Sequence, residues 1–208
     1  FHHKEQFEHA GASGGFMDSN YFPFCRGRIF NEVEKDENQY DENMEIFWAT
    51  GAALLIRSEV YHQHGGFDED FFAHMEEIDL CWRIKRHGGK FMVVPESVVY
   101  HVGGGTLSYS SPRKVYLNFR NNLMMLIKNH EGLLFPKLYW RMTLDGFAAT
   151  KFLLGGEFKN FGAVFRAHMY QYSHLRTLLK KRAALKKTAT GLNQKGWYKG
   201  CIIWAFYG

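Results

Sequence analysis

Two adjacent carboxylates, Glu76 and Glu77, stand inside the run GGFDEDFFAHMEEIDLCWR at residues 65–83, with Asp79 just behind them and Asp68, Glu69 and Asp70 just ahead. Phe67, Phe71, Phe72 and Trp82 frame the acids. Crowded carboxylates raise one another's pKa, and a raised carboxylate is what a general base for an alcohol uses, a role worth about 10²- to 10⁴-fold in rate. The plainer reading is helix electrostatics, since acids in a first turn complement the dipole by about 0.3 to 1 kcal/mol each. Asp79 with Arg83 is then an ordinary i, i+4 pair worth about 0.2 to 0.5 kcal/mol. The residues alone leave both readings open. Neighbouring helical residues diverge by about 100°, so Glu76 and Glu77 cannot share a face. One can enter a cleft while the other braces a hydroxyl or a backbone group. A glycosidase pair must flank its bond from opposite sides, which adjacent residues do poorly.

His101 is the second candidate. It follows an apolar strand and opens HVGGGT, where three glycines let backbone approach an anion or metal closely. A satisfied structural histidine is the competing reading. The run is not a phosphate loop, which needs GxxxxGK[ST]. Asp68-Glu69-Asp70 is the one Asp-x-Asp ahead of the acidic helix.

These groups need elements to position them. Residues 1–46 read as irregular surface loop, and Phe47–Arg57, FWATGAALLIR, as a buried strand with Gly51 at a close approach. Ser58 is expected to cap a short helix that stops at Gly65 and Gly66. A helix is predicted from Met75 to His87 with Met75, Ile78 and Trp82 on one face, then strands over Phe91–Val94 and Ser97–Val102. Ser111 and Pro112 predict the start of a helix over Lys114–His130, followed by Pro136–Leu154 and one or two helices over Glu157–Lys187. The segment from Gly196 is aromatic and short of charge.

Charge divides the chain. Residues 1–112 hold 9 Lys/Arg against 18 Asp/Glu, and residues 113–208 hold 17 against 3, within a total net charge of +5. The basic part could meet nucleic acid, an anionic membrane surface or the acidic part of its own chain; no recognised nucleic-acid motif supports the first. Three scattered cysteines, Cys25, Cys81 and Cys201, point to reduced thiols in a cytosolic setting rather than a disulfide framework or zinc cluster. No apolar run reaches the roughly 18 to 20 residues of a spanning helix. The first residue is Phe rather than Met, which sets the expectation that the chain begins inside a longer protein.

FWATGAALLIRSEVY, GGFDEDFFAHMEEIDLCWR, the strand ending at His101, HVGGGT and KVYLNFRNNLMMLIKN, in that order, closely resemble the family 2 glycosyltransferases, in particular bacterial rhamnosyltransferase-like members. The resemblance runs from about Cys25 to Lys128. It implies an α/β fold: a partial GT-A, Rossmann-like mixed sheet with flanking helices, followed by a basic helical C-terminal region. Residues 1–112 would be the acceptor and catalytic half of that domain, and 113–208 a helical extension. The implied activity is transfer of a sugar, with inversion, from a nucleotide-diphosphate donor to a saccharide or lipid-linked saccharide hydroxyl in cell-surface polysaccharide synthesis. Glu77 takes the position of the base and Glu76 that of an acceptor-hydroxyl ligand, although Glu-Glu replaces the usual Glu-Asp and leaves their order open. Gly51, Ala52, Asp68 and Trp82 fall at acceptor-side positions. His101 falls where relatives place a ligand for Mg²⁺ or Mn²⁺. The implied location is cytoplasmic, peripheral at the inner face of the cell membrane, with the basic helices on anionic lipid and no nucleic-acid partner. The family's donor-binding half, with its Asp-x-Asp motif, is not in this sequence, so the chain is expected to be inactive alone. The rival expectation is a non-catalytic binding or assembly module derived from a transferase half.

Overall fold

The computed structural model describes residues 6–7, 11–100 and 111–207. They form two compact units that interleave along the chain. The first takes residues up to 67, then 77–100 and 190–207; the second takes 68–76 and 111–189.

The first unit is mixed α/β. Its strands are β1 (Gly15–Asp18), β2 (Pro23–Cys25), β3 (Arg28–Ile29), β4 (Glu32–Val33), β5 (Met44–Ile46), β6 (Phe91–Val93) and β7 (Trp197–Tyr198). One sheet has the order β4-β3-β2-β1-β7, antiparallel except for the parallel pair of β1 with β7, and β5 with β6 makes a second, antiparallel ladder. The mixed sheet agrees with the expected fold class, whereas the loop expected over residues 1–46 is corrected. Strands of two to four residues are too short to show alternation, yet Met17 is fully buried in one of them. The expected strand over Phe47–Arg57 is also corrected. Trp48 pairs only through an isolated bridge to Gly15, Thr50–Ala53 turns the chain, and Leu55 is 98% exposed. An apolar run without a pairing partner does not make a ladder.

Helix α1 (Ser58–Gln63) ends at Gly65 and Gly66, both at positive φ, as the sequence predicts, although Arg57 rather than Ser58 occupies the cap. Helix α2 (Glu76–Lys85) is buried on every side from Ile78 to Lys85, not on one face. Trp82 is its anchor in the core: its ring stacks on Tyr21 at 5.2 Å and meets Phe47 and Trp197 edge-on, each at 5.7 Å. Helix α6 (Ile202–Tyr207) is tied to β1 through the Asp18 carboxylate, which accepts from the Ile202 amide at 2.9 Å.

The second unit is helical: α3 (Pro112–Asn129), α4 (Leu134–Leu154) and α5 (Phe158–Thr188). Ser111 caps α3 by accepting from the Lys114 amide at 3.2 Å, and Pro112 is its first residue, both as expected. Leu123 to Ile127 of α3 and Ala163, Val164 and Ala167 of α5 form its core. The small side chains on α5 let the two helices approach closely. No described helix is long and apolar enough to cross a membrane.

Candidate active site

In the first unit the turn Thr50–Ala53 lies against the start of α2. The Ala53 amide donates to the Thr50 carbonyl at 3.1 Å, and a Cβ on Gly51 would stand 3.9 Å from Cβ of Glu77. The fold therefore brings together two stretches singled out separately in the sequence. Gly51 is exposed and Ala52 half-buried, so the turn faces solvent, while Oε2 of Glu77 is shut off from it.

What holds Glu77 in place lies one turn further along α2. The Cys81 thiol is fully buried, and burial pushes it up to about 12 with the Glu77 charge acting in the same direction, so it stays a neutral packing group. Asp79 and Arg83 are both buried and meet at 2.8 Å. Arg83 also donates to the Gly66 carbonyl at 2.6 Å and to that of His64, so the pair ties α2 to the turn after α1. The surface value of a few tenths of a kcal/mol does not apply, because breaking a buried pair costs about 3–5 kcal/mol. Trp82, expected at the acceptor, is 1% exposed and offers no face to a ligand.

In the second unit the segment 68–76 leads into α2. Asp68 is pinned: its carboxylate accepts from Lys128 at 2.6 Å and from Lys181 at 2.8 Å, and Asp70 accepts from Lys181 at 2.7 Å. Burial alone would raise the Asp68 carboxyl, but Lys128 and Lys181 overcome it and hold the group well below the usual carboxylate range. Beyond a 3₁₀ turn at Glu69–Phe71, three non-glycine residues take left-handed backbone: Phe72 (φ 63°), His74 (φ 69°) and Met75 (φ 72°). Each costs on the order of 1–3 kcal/mol and persists only where its surroundings impose it. Next comes Glu76, half-buried, with Oε2 shut off from solvent and without a hydrogen-bond partner among the described residues. Nε2 of His74 is in the same state, and burial followed by the Lys114 charge lowers its pKa.

The chain is 26% identical over 137 residues to an N-acetylglucosaminyl-diphospho-decaprenol L-rhamnosyltransferase of Mycobacterium tuberculosis, covering 66% of this chain and 44% of that protein. Over 79 residues it is 32% identical to the low-salt glycan biosynthesis hexosyltransferase Agl10 of Haloferax volcanii, covering 36% of this chain and 25% of that protein. Its relatives are sugar transferases. The rhamnosyltransferase WbbL of Escherichia coli adds 31% identity over 65 residues, covering 31% of this chain and 24% of that protein. The chain thus spans less than half the length of these curated relatives. No family model matches it, and no solved structure does.

Against these transferase relatives, the expected site residues divide. Glu77, Gly51 and Ala52 gather in the first unit; Glu76 and Asp68 belong to the second. His101 lies outside the described residues. Among the described residues no three His, Cys, Asp or Glu side chains are grouped to hold a metal ion, and the Asp68–Asp70 pair already carries lysine. The described part therefore does not by itself fit a divalent cation. Sequence reasoning passed over Arg120, Asn121, Lys128 and Lys181. Arg120 and Asn121 had one signal, the polar triplet Arg120-Asn121-Asn122 directly ahead of the apolar run Leu123–Ile127.

Proposed function

We propose that the chain is the acceptor-side and catalytic part of an inverting GT-A glycosyltransferase that acts in cell-surface polysaccharide synthesis. The approach of the Gly51 turn to Glu77 carries this reading, because an exposed turn with no side chain at Gly51 stands against the stem of the glutamate, on the side from which an acceptor sugar would reach it. Glu77 takes the proton of the acceptor hydroxyl as that oxygen bonds to the anomeric carbon of the donor. The bond from this carbon to the nucleoside diphosphate breaks on the opposite side, so configuration inverts and the diphosphate leaves with the electron pair. Glu76 orients the acceptor; Asp68 and Trp82 support the structure around it. Mg²⁺ or Mn²⁺ remains a proposal with His101 as its one nominated ligand, and the proton transfer does not run through it.

Two further expectations fit the helical unit. Phe158, Phe161, Phe165, Met169 and Tyr172 are all exposed and follow the spacing of one face of α5, with exposed Lys159, Arg166 and Arg176 alongside. An apolar stripe edged by cations suits an anionic membrane face. That surface would present a lipid-linked acceptor of the kind named for the mycobacterial relative.

The test is Glu77→Gln in the full-length protein, assayed with dTDP-rhamnose and an N-acetylglucosaminyl-diphospho-polyprenol. Loss of a general base predicts a fall in kcat of about 10²- to 10⁴-fold with donor affinity retained. Turnover at the parent rate would remove Glu77 from the role.

A further inference from the structure

The strained segment before Glu76 is held by one place in the fold. Asn121, fully buried on α3, puts Nδ2 at 3.0 Å from the Phe71 carbonyl oxygen and at 2.7 Å from those of Ala73 and His74. Its neighbour Arg120 donates to the carbonyls of Asp70 at 3.0 Å and Phe71 at 2.8 Å. The two side chains are joined to each other, with Arg120 Nε donating to Asn121 Oδ1 at 2.8 Å. The guanidinium lies over the rings of Tyr116 and Tyr170, at 5.5 and 5.0 Å, and Gln171 donates to the Arg120 carbonyl at 2.9 Å.

Left-handed backbone at Phe72, His74 and Met75 turns these peptide groups away from any regular ladder; the Phe71 carbonyl accepts locally from the Ala73 amide at 2.7 Å, and side chains from α3 supply further donors. Asn121 and Arg120 supply donors to four carbonyls in a stretch of five residues. Without them the turn would lose what makes its strained form the lowest in energy, and would relax toward right-handed backbone. Glu76 follows directly, and Glu77 is the next residue.

We propose that Asn121 and Arg120 are positioning residues: by holding the carbonyls of Asp70, Phe71, Ala73 and His74 they impose the strained turn and thereby fix the aim of Glu76, which belongs to the same unit. The catalytic part of this claim rests on the transferase reading above. A buried asparagine that only filled space would have no reason to face three carbonyls, and an arginine that only neutralised charge would face a carboxylate rather than two backbone oxygens.

The experiment compares the full-length protein with Asn121→Asp, which keeps shape but replaces the donor by an acceptor, and with Arg120→Lys, which keeps charge but loses the fork. In Asn121→Asp, kcat should fall about 10²-fold while the donor KM stays within about twofold, as misplacement of a reacting group predicts. Hydrogen exchange of the amides at 72–78 should rise at least about tenfold with α4 and α5 unchanged. Adding Phe72→Gly to Asn121→Asp should recover part of the lost rate, since glycine holds a positive φ without help. Parent-like kcat in Asn121→Asp would overturn the proposal, as would exchange that rises uniformly over α3 to α5, which would make Asn121 a core residue only. If the parent transfers no sugar, the transferase reading falls, and unchanged exchange at 72–78 in both variants would sink the clamp independently.

Discussion

Asp68 and Lys128 meet at 2.6 Å with both side chains largely enclosed, while Lys181 reaches the same carboxylate from a position 34% exposed. The two lysines are therefore unequal partners. Asp68→Asn removes the negative charge that faces the buried Lys128 ammonium and should cost about 3–5 kcal/mol. Lys181→Ala removes a half-open pair and should cost no more than about 1 kcal/mol. Urea denaturation followed by helical circular dichroism separates the two, and equal losses would contradict the assignment.

Acid should loosen the helical unit in two stages. Burial, and then Arg141, brings His168 down to about 4; burial, and then Arg182, does the same for His130. Unfolded histidines titrate near 6.5. Between these values the unfolded chain binds more protons, so stability falls as pH drops from about 6.5 toward 4. Asp68, whose folded pKa is depressed, extends the loss below about pH 4. Melting temperatures across this range should show the slope, and the double substitution of His130 and His168 by Asn should flatten its upper part.

Two glycines with nearly the same φ should respond very differently to alanine. Gly65, at 76°, has nothing within 4 Å of an added Cβ, so Gly65→Ala bears only the left-handed penalty of about 1–2 kcal/mol. At Gly196, φ 77°, the added carbon would fall 2.1 Å from the backbone nitrogen of Phe47 and 2.6 Å from the Ile46 carbonyl carbon. Gly196→Ala should break the seating of Trp197 and lower the urea midpoint well beyond the Gly65→Ala shift, read by tryptophan fluorescence.

Lipid contact through α5 has its own signature. Burying one Phe side chain is worth about 1.5–3 kcal/mol, so Phe161→Ser and Phe165→Ser should each weaken co-sedimentation with phosphatidylglycerol vesicles about tenfold or more. High salt should weaken it further, and neutral vesicles should bind less. Parent-like sedimentation of both variants would end the membrane assignment.

Much of the helical unit was legible in the sequence because its signals are local. Ser111 followed by Pro112 marks a start, and the apolar period over α3 to α5 spans many turns. The sheet was not legible, since Met17 finds Trp197 from the far end of the chain and strands of two residues carry no period of their own. Glu77 could be nominated from motif and chemistry, whereas the approach of the Gly51 turn to its Cβ could be seen only in the fold. Asn121 could not be, because its three acceptors lie 47 to 50 residues away and nothing near it in sequence announces them.

Ser19 donates to the Gly200 carbonyl 181 residues further on, and Asp18 holds the Ile202 amide 184 residues further on. In chain order β7, the parallel neighbour of β1, follows all three long helices. The helical unit can therefore collapse on local contacts while the sheet waits, its edge open, for Trp197 and Tyr198. Until β7 is made, β1 pairs with β2 on one side only, and its other edge is the one exposed to mispairing.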